Sequence, residues 1–426
     1  MFLGTFKLVV HVIITECAQT FYSILPTSLF APFREHLFAT FLRFNRQTYN
    51  FRMSDLHKKL INRQKNESFG LAPLAEDPIS DNEDSDTYFS STDHDHKLDQ
   101  SFYENAKNDT FPIRDVYIHK DGLYFQTYYS PPSSLDAPIL VFHHGAGSSA
   151  MTFCWLAHFL KSLPEDEIPG IFLFDARGHG DSSKIPADFS LAAFSRDFAF
   201  VLQEFCTRHK VDTSIFLVGH SLGGAILTNY IMNFDHSHYK IMGLVMIDIV
   251  EETAVRALSS ISHFINRRPK NFRSYPDAIQ WHLNSHLLRN ETSAKISVSA
   301  LLQPNNAGNL DWKTDLSLMA NFWDSWFVNL SENFIKCGSN SNNHLSKLLI
   351  LSGNEILDKE LIIGQMQGKY QLIVFNNSTN AGHFLQEDIP MQLGISITEF
   401  VRRNSVADKS SSKNLIRPKW GGEVNQ

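Results

Sequence analysis

From about residue 115 the chain alternates short apolar runs with longer stretches of helical period. Ile139–Phe142, Ile171–Phe174, Ile215–Val218, Leu244–Ile249, Leu348–Leu351 and Leu372–Phe375 are short apolar runs, broken only by Asp248. That is the pattern of strands covered on both faces, as in a parallel sheet. Ahead of them, Val116–His119 and Leu123–Tyr129 flank Asp121-Gly122 and predict a strand pair about a tight turn. Between the runs, Leu156, Phe159, Leu160 and Leu163 share one helical face, and Phe194, Phe198, Val201, Leu202 and Phe205 make a second stripe. A last helix carries Leu393, Ile397, Phe400 and Val401, with Pro390 suited to its first turn. Strands alternating with amphipathic helices predict an α/β fold, a mostly parallel central sheet flanked by helices. Residues 253–345 break the rhythm. They read as a helical insertion with four tryptophans, at 281, 312, 323 and 326, capping one end of the sheet.

The ends differ from this middle. Residues 1–52 hold nine of the chain's 34 phenylalanines. Their apolar run Leu8–Ile14 after Lys7 resembles the core of a secretion signal but is too short to span a bilayer. Secretion signal, membrane-surface anchor and upstream mis-start compete as readings. The third is preferred, with Met53 as the initiator, because an ordinary amphipathic text begins there. Residues 53–110 are expected to form an N-terminal segment with an acidic linker at 76–99, where nine acids face one lysine. Asp93-His94-Asp95-His96 within it is read as solvated rather than metal-binding. The catalytic domain is expected over 111–404, with a polar tail at 405–426.

Composition narrows the classes. The 426 residues carry 38 Lys+Arg against 45 Asp+Glu, a net charge of −7 with no basic stretch, so nucleic acid is excluded as an expected partner. No stable membrane insertion is expected. Cys17, Cys154, Cys206 and Cys337 have neither disulfide-framework nor zinc spacing and fit a reducing compartment.

The chemistry sits at strand ends. In Val218-Gly219-His220-Ser221-Leu222-Gly223-Gly224 an apolar strand runs through G-x-S-x-G into a helix. A serine on so sharp a turn needs small neighbours, and its hydroxyl then stands clear of the sheet as a nucleophile. His143-His144-Gly145-Ala146-Gly147 follows another strand. It offers one backbone donor for an oxyanion hole, Ala146 N–H with Gly145 the near alternative, and Leu222 N–H supplies the other. His383, in a loop before the last helix, stands where the general base is needed. For the acid, Asp248, Glu355 and Asp358 all follow strands, and spacing does not choose among them. Asp175, in Asp175-Ala176-Arg177-Gly178-His179-Gly180, precedes the nucleophile and is read as structural packing beside the site.

Four stretches sharpen this picture: Met246-Ile247-Asp248-Ile249-Val250-Glu251, Phe264-Ile265-Asn266-Arg267-Arg268-Pro269-Lys270-Asn271-Phe272, Trp323-Asp324-Ser325-Trp326-Phe327, and Leu357–Leu361 running into Gln365-Met366-Gln367-Gly368-Lys369. With them the chain resembles the protein phosphatase methylesterase family of α/β-hydrolases over roughly residues 110–404. The resemblance implies removal of the methyl ester from the carboxyl-terminal leucine of the type 2A protein phosphatase catalytic subunit, which is then the expected partner. It implies Ser221 as nucleophile, Asp248 as acid and His383 as base, no metal or organic cofactor, and residence in cytoplasm and nucleus. Two departures stand out: Ala146 where a more glycine-rich text is common, and the lack of a longer acidic insertion. Two alternatives use the same residues differently: a general serine esterase or thioesterase on small substrates, and an inhibitory protein that binds the phosphatase through the Trp-rich insertion without hydrolysis.

Overall fold

A computed structural model describes residues 93–184, 188–338, 345–353, 356–375 and 381–410. Residues 1–92, which include Met53, lie outside the described residues, as do Glu355 and everything beyond Ser410.

The eight-stranded sheet runs β1 (Ile113–Ile118), β2 (Tyr124–Ser130), β4 (Gly170–Phe174), β3 (Ile139–His143), β5 (Ile215–His220), β6 (Ile241–Ile247), β10 (Ser346–Ser352), β11 (Gln371–Phe375) in spatial order. β1 pairs with β2 and β2 with β4 antiparallel; every other pairing is parallel. Gly122, at φ +86°, makes the β1–β2 turn, a conformation for which glycine carries no Cβ penalty.

The apolar runs in β3, β4, β5, β6 and β10 have a direct explanation: both faces of those strands are covered. β11 departs from that expectation: at the edge of the sheet, its Leu372–Phe375 run is only partly buried and Val374 is exposed. Val141, Phe172, Leu217, Leu244 and Leu349 pack with the stripes of α3 (Leu191–His209) and α4 (Leu222–Asn233). Alternate residues turn to the other side. There Phe142 meets Phe153 just before α2 (Cys154–Lys161), and Phe216 meets Phe400 of α12 (Pro390–Ser410). Each fully buried side chain of this size contributes roughly 1.5–3 kcal/mol relative to an exposed one.

Two boundaries differ from the sequence reading. Helix α1 (Asp93–Thr110) takes in the end of the stretch expected to be a linker, and α12 continues six residues past 404. The cause at α1 is tertiary. Lys161 Nζ donates to the carbonyls of Asp109 (2.6 Å) and Thr110 (3.1 Å), satisfying C-terminal acceptors of the helix, and Tyr103 and Phe111 are buried.

Between β6 and β10 lies the insertion: α5 (Glu251–Arg267), β7 (Asn271–Phe272), α6 (Tyr275–Asn284), α7 (Glu291–Ala300), β8 (Leu302–Pro304), β9 (Leu310–Trp312), a 3-10 segment (Leu316–Phe322), α8 (Trp323–Trp326) and α9 (Leu330–Lys336). It is not purely helical, since β7, β9 and β8 form a small antiparallel sheet. Its entry and exit are joined. The Glu251 carboxylate, at the start of α5, accepts from Asn329 N–H (2.9 Å) and Ser331 N–H (3.0 Å) at the start of α9. Trp323 and Trp326 are buried, and Trp326 Nε1 donates to Phe189 O at 2.8 Å, so these two tryptophans are core rather than an outward face.

Candidate active site

Ser221 sits between β5 and α4 at φ 52°, ψ −122°. A non-glycine residue in that region costs on the order of 1–3 kcal/mol and persists only where its surroundings impose it. They do so here. A Cβ on Gly219 would lie 2.5 Å from the Gly223 carbonyl carbon, and one on Gly223 would lie 2.2 Å from His143 O. The glycines therefore let the turn close against itself and against the β3 loop. Ser221 N–H donates to Ile247 O at 3.0 Å, fixing the turn to β6.

β6 ends at Ile247, two residues earlier than the apolar run suggests, because Asp248 turns out of the strand at φ 50°. Its backbone N–H donates to Ile350 O (2.7 Å), and its Oδ1 accepts from Ser352 N–H (2.6 Å). The other oxygen, Oδ2, lies 2.9 Å from His383 Nδ1. Asp248 is buried, while 46% of the His383 side chain is exposed. A carboxylate can only accept here, so Nδ1 carries the proton and Nε2 of the neutral ring is the basic nitrogen. Behind this pair, His220 Nε2 lies 2.9 Å from His383 O and donates to it. Burial and the adjacent His383 push the His220 pKa well below its ordinary value, so His220 stays neutral.

Ser221, Asp248 and His383 line one cavity of about 480 Å³. The remaining wall includes Ala146, Leu288, Trp281, Trp312, Arg268 and Glu387. Ala146, rather than Gly145, faces this space. Its N–H meets no acceptor among the described residues, whereas Gly147 N–H donates to His179 Nε2 at 3.0 Å. Leu222 is the first residue of α4, whose leading N–H groups have no intrahelical acceptor.

Asp358 is elsewhere employed. Its Oδ1 accepts from Leu361 N–H at 3.0 Å as the N-cap of α10 (Lys359–Met366), and its Oδ2 accepts from the Ser331 hydroxyl. Asp175 is buried and braces the loop beyond β3. It accepts from Ala150 N–H (2.7 Å) and Asp181 N–H (2.9 Å), and burial raises its pKa. In the same motif Arg177 makes a buried, two-pronged ion pair with Asp197.

Sequence reasoning missed Glu387 and Arg268 as cavity residues. Glu387, on α11 (Leu385–Asp388), is bonded to the hydroxyls of Thr152 and Ser297, and burial raises its pKa to about 8. It lies four residues after the candidate base on a one-turn helix too short to show a period in the sequence. Arg268 stood inside a quoted motif, but nothing in the text showed that it faces the cavity. Among the described residues no group of three or more His, Cys, Asp and Glu is arranged to hold a metal. The side chains of Asp93–His96 are outside that description. No helix among the described residues is long and apolar enough to cross a membrane.

The strained serine turn, the acid–histidine pair and the parallel sheet are those of an α/β-hydrolase. Residues 140–392 match the family model described as the alpha/beta hydrolase family. The fold is also that of solved hydrolases, among them E-2-(acetamidomethylene)succinate hydrolase. That likeness has a TM-score of 0.54 at 18% identity and covers 68% of this chain and 99% of that one. Closer relatives are named protein phosphatase methylesterase 1. The one from Debaryomyces hansenii is 48% identical over 393 residues, covering 88% of this chain and 100% of its own. The one from Candida albicans is 42% identical over 381 residues, with the same two coverages. The chain belongs to the protein phosphatase methylesterases, ester hydrolases of the α/β-hydrolase superfamily.

Proposed function

We propose that this chain removes the methyl ester from the carboxyl-terminal leucine of the type 2A protein phosphatase catalytic subunit, with Ser221 as nucleophile, His383 as base and Asp248 as acid. One observation carries the reading: the 2.9 Å Asp248–His383 hydrogen bond opens onto the cavity that Ser221 also lines. The relatives' name supports a methylated phosphatase as substrate, and the resemblance in Gln365–Lys369 and the insertion supports the type 2A catalytic subunit.

His383 Nε2 takes the proton of Ser221 Oγ as the oxygen attacks the ester carbonyl carbon. The tetrahedral oxyanion accepts from Leu222 N–H and Ala146 N–H. The carbon–methoxy bond breaks, and the methoxy oxygen receives the proton from His383, leaving as methanol. Water, deprotonated by His383, then attacks the acyl-serine carbonyl; the carbon–Oγ bond breaks, His383 returns the proton to Ser221 Oγ, and the leucine carboxylate departs. Asp248 keeps the ring oriented and stabilises its charged form. Residence in cytoplasm and nucleus is proposed on the family resemblance, and Cys154, Cys206 and Cys337, buried and without disulfides, fit a reducing compartment.

The test follows methyl loss from methylated type 2A phosphatase. The wild-type chain should demethylate it, and Ser221→Ala should be slower by about 10⁴-fold or more, because members of such a triad act as one unit. Near-normal turnover by Ser221→Ala would overturn the residue assignment. Efficient hydrolysis of short esters with no action on the phosphatase would favour a general esterase. Inhibition of the phosphatase preserved in Ser221→Ala would favour the binding role.

A further inference from the structure

The ester's leaving group is methanol, a single carbon, so the 480 Å³ cavity must be filled almost entirely by the acyl side of the substrate. Ser221, Asp248 and His383 come from loops of the sheet. Much of the facing wall comes from the insertion, and there Arg268 stands out.

Its guanidinium lies 4.4 Å from the centre of the Trp312 ring, a cation–π seat, and Trp312 is itself anchored by Nε1–H donating to Pro269 O at 2.8 Å. Of its five donors, one makes a long bond of 3.3 Å to Thr314 O. Among the described residues no carboxylate lies within ion-pair distance of it. Burial lowers the Arg268 pKa and Asp315, beyond ion-pair distance, opposes that; the Oδ1 of Asp315 accepts from Ser317 N–H (2.9 Å) and Ser317 Oγ (2.6 Å). The guanidinium is thus partly withdrawn from water with no carboxylate paired to it, which leaves donors of its fork to meet an incoming anion. Neighbouring His282 is buried, donates Nδ1–H to Ala278 O at 2.8 Å and is held neutral, so it neither pairs with Arg268 nor competes for an anion.

We propose that Arg268, seated on Trp312, is the binding point for a carboxylate side chain in the peptide preceding the esterified residue. The assignment rests on the proposed peptide methylesterase reading and adds a substrate class to it: acidic peptides. The planar guanidinium fork suits two carboxylate oxygens. Its fixed seat on the indole means that little side-chain freedom is lost on binding.

The test uses peptides ending in leucine methyl ester that carry Asp or Asn at each position upstream in turn. Each peptide is measured as a substrate and also as a competitor of p-nitrophenyl acetate hydrolysis. The wild-type chain should favour Asp over Asn at one position by about tenfold, the scale of a charged hydrogen bond. Arg268→Gln should bring that ratio near one, Arg268→Lys should keep part of it, and Arg268→Glu should reverse it in favour of Asn. Because each ratio is taken within one protein, a general loss of activity does not imitate the result. Equal handling of Asp and Asn by the wild type at every position would overturn the proposal. So would tighter competition by the free-acid peptide, lost in Arg268→Gln without regard to Asp, which would assign Arg268 to the product carboxylate. If the esters compete but are not hydrolysed, the methylesterase reading fails, and the competition ratio still decides the role of Arg268.

Discussion

Asp248 makes a prediction that separates its chemical from its structural work. Its carboxylate bonds both Ser352 N–H (2.6 Å) and His383 Nδ1 (2.9 Å) from a backbone at φ 50°. Asparagine has the same shape and tolerates that backbone. In Asp248→Asn the side-chain oxygen keeps Ser352 N–H, and the amide NH2 turns to His383 Nδ1. Nδ1 must then accept, so the ring proton sits on Nε2, and the imidazole cannot take the serine proton. The expected fall in kcat is about 10⁴-fold, while stability should stay within about 1 kcal/mol of the wild type. Asp248→Ala should be inactive as well and should also destabilise the fold. It orphans the buried Ser352 N–H, worth about 1–3 kcal/mol, and places alanine in a left-handed conformation, worth about 1–2 kcal/mol more. The assay pairs single-turnover demethylation with urea unfolding of each variant. An Asp248→Asn enzyme within tenfold of wild-type kcat would refute the argument and return the acid to another strand end.

Two further outcomes follow from the same geometry. Asp358→Ala should lower stability by about 1–2 kcal/mol through the lost N-cap of α10, with kcat/KM for demethylation within about threefold of wild type; a collapse of kcat in a folded variant would contradict the capping role. Glu387 is bound in a raised-pKa state, near 8 against an ordinary 4.5. The native state therefore holds an extra proton through that window, so this contribution to stability is full at low pH and is lost as pH rises towards 8. Denaturation of Glu387→Gln should accordingly show a decline between pH 5 and 8 that is shallower than wild type by up to roughly 4 kcal/mol; parallel pH profiles would refute it.

The middle of the sheet was legible because its strands are buried on both faces, so Ile215–Val218 or Leu348–Leu351 needed only an apolar run to be recognised. Their helices declared themselves by period. What local text could not carry were features set by distant partners. The last turn of α1 depends on Lys161, fifty residues away. The strands β7, β8 and β9 span two or three residues and have no period to detect. The candidate acid was ambiguous for a related reason: three carboxylates end or follow strands, and what separates Asp248 from Asp358 is that Asp248 meets His383 while Asp358 caps a helix. A finer reading of Asp358-Lys359-Glu360-Leu361 as a helix N-cap would have removed one rival from the text alone.

The carboxylate of Glu251 has a consequence for how this chain can vary. By holding the first turn of α5 against the start of α9, it brings the two ends of a stretch of more than seventy residues together at the base, three residues beyond Asp248. The chain between them is a closed loop seen from the sheet, and doubling the length of such a loop adds only about 0.6 kcal/mol of closure entropy. Residues can be gained or lost inside the insertion without pulling on the acid. The cavity wall that the insertion builds is thus free to change length while Ser221, Asp248 and His383 stay where the sheet puts them.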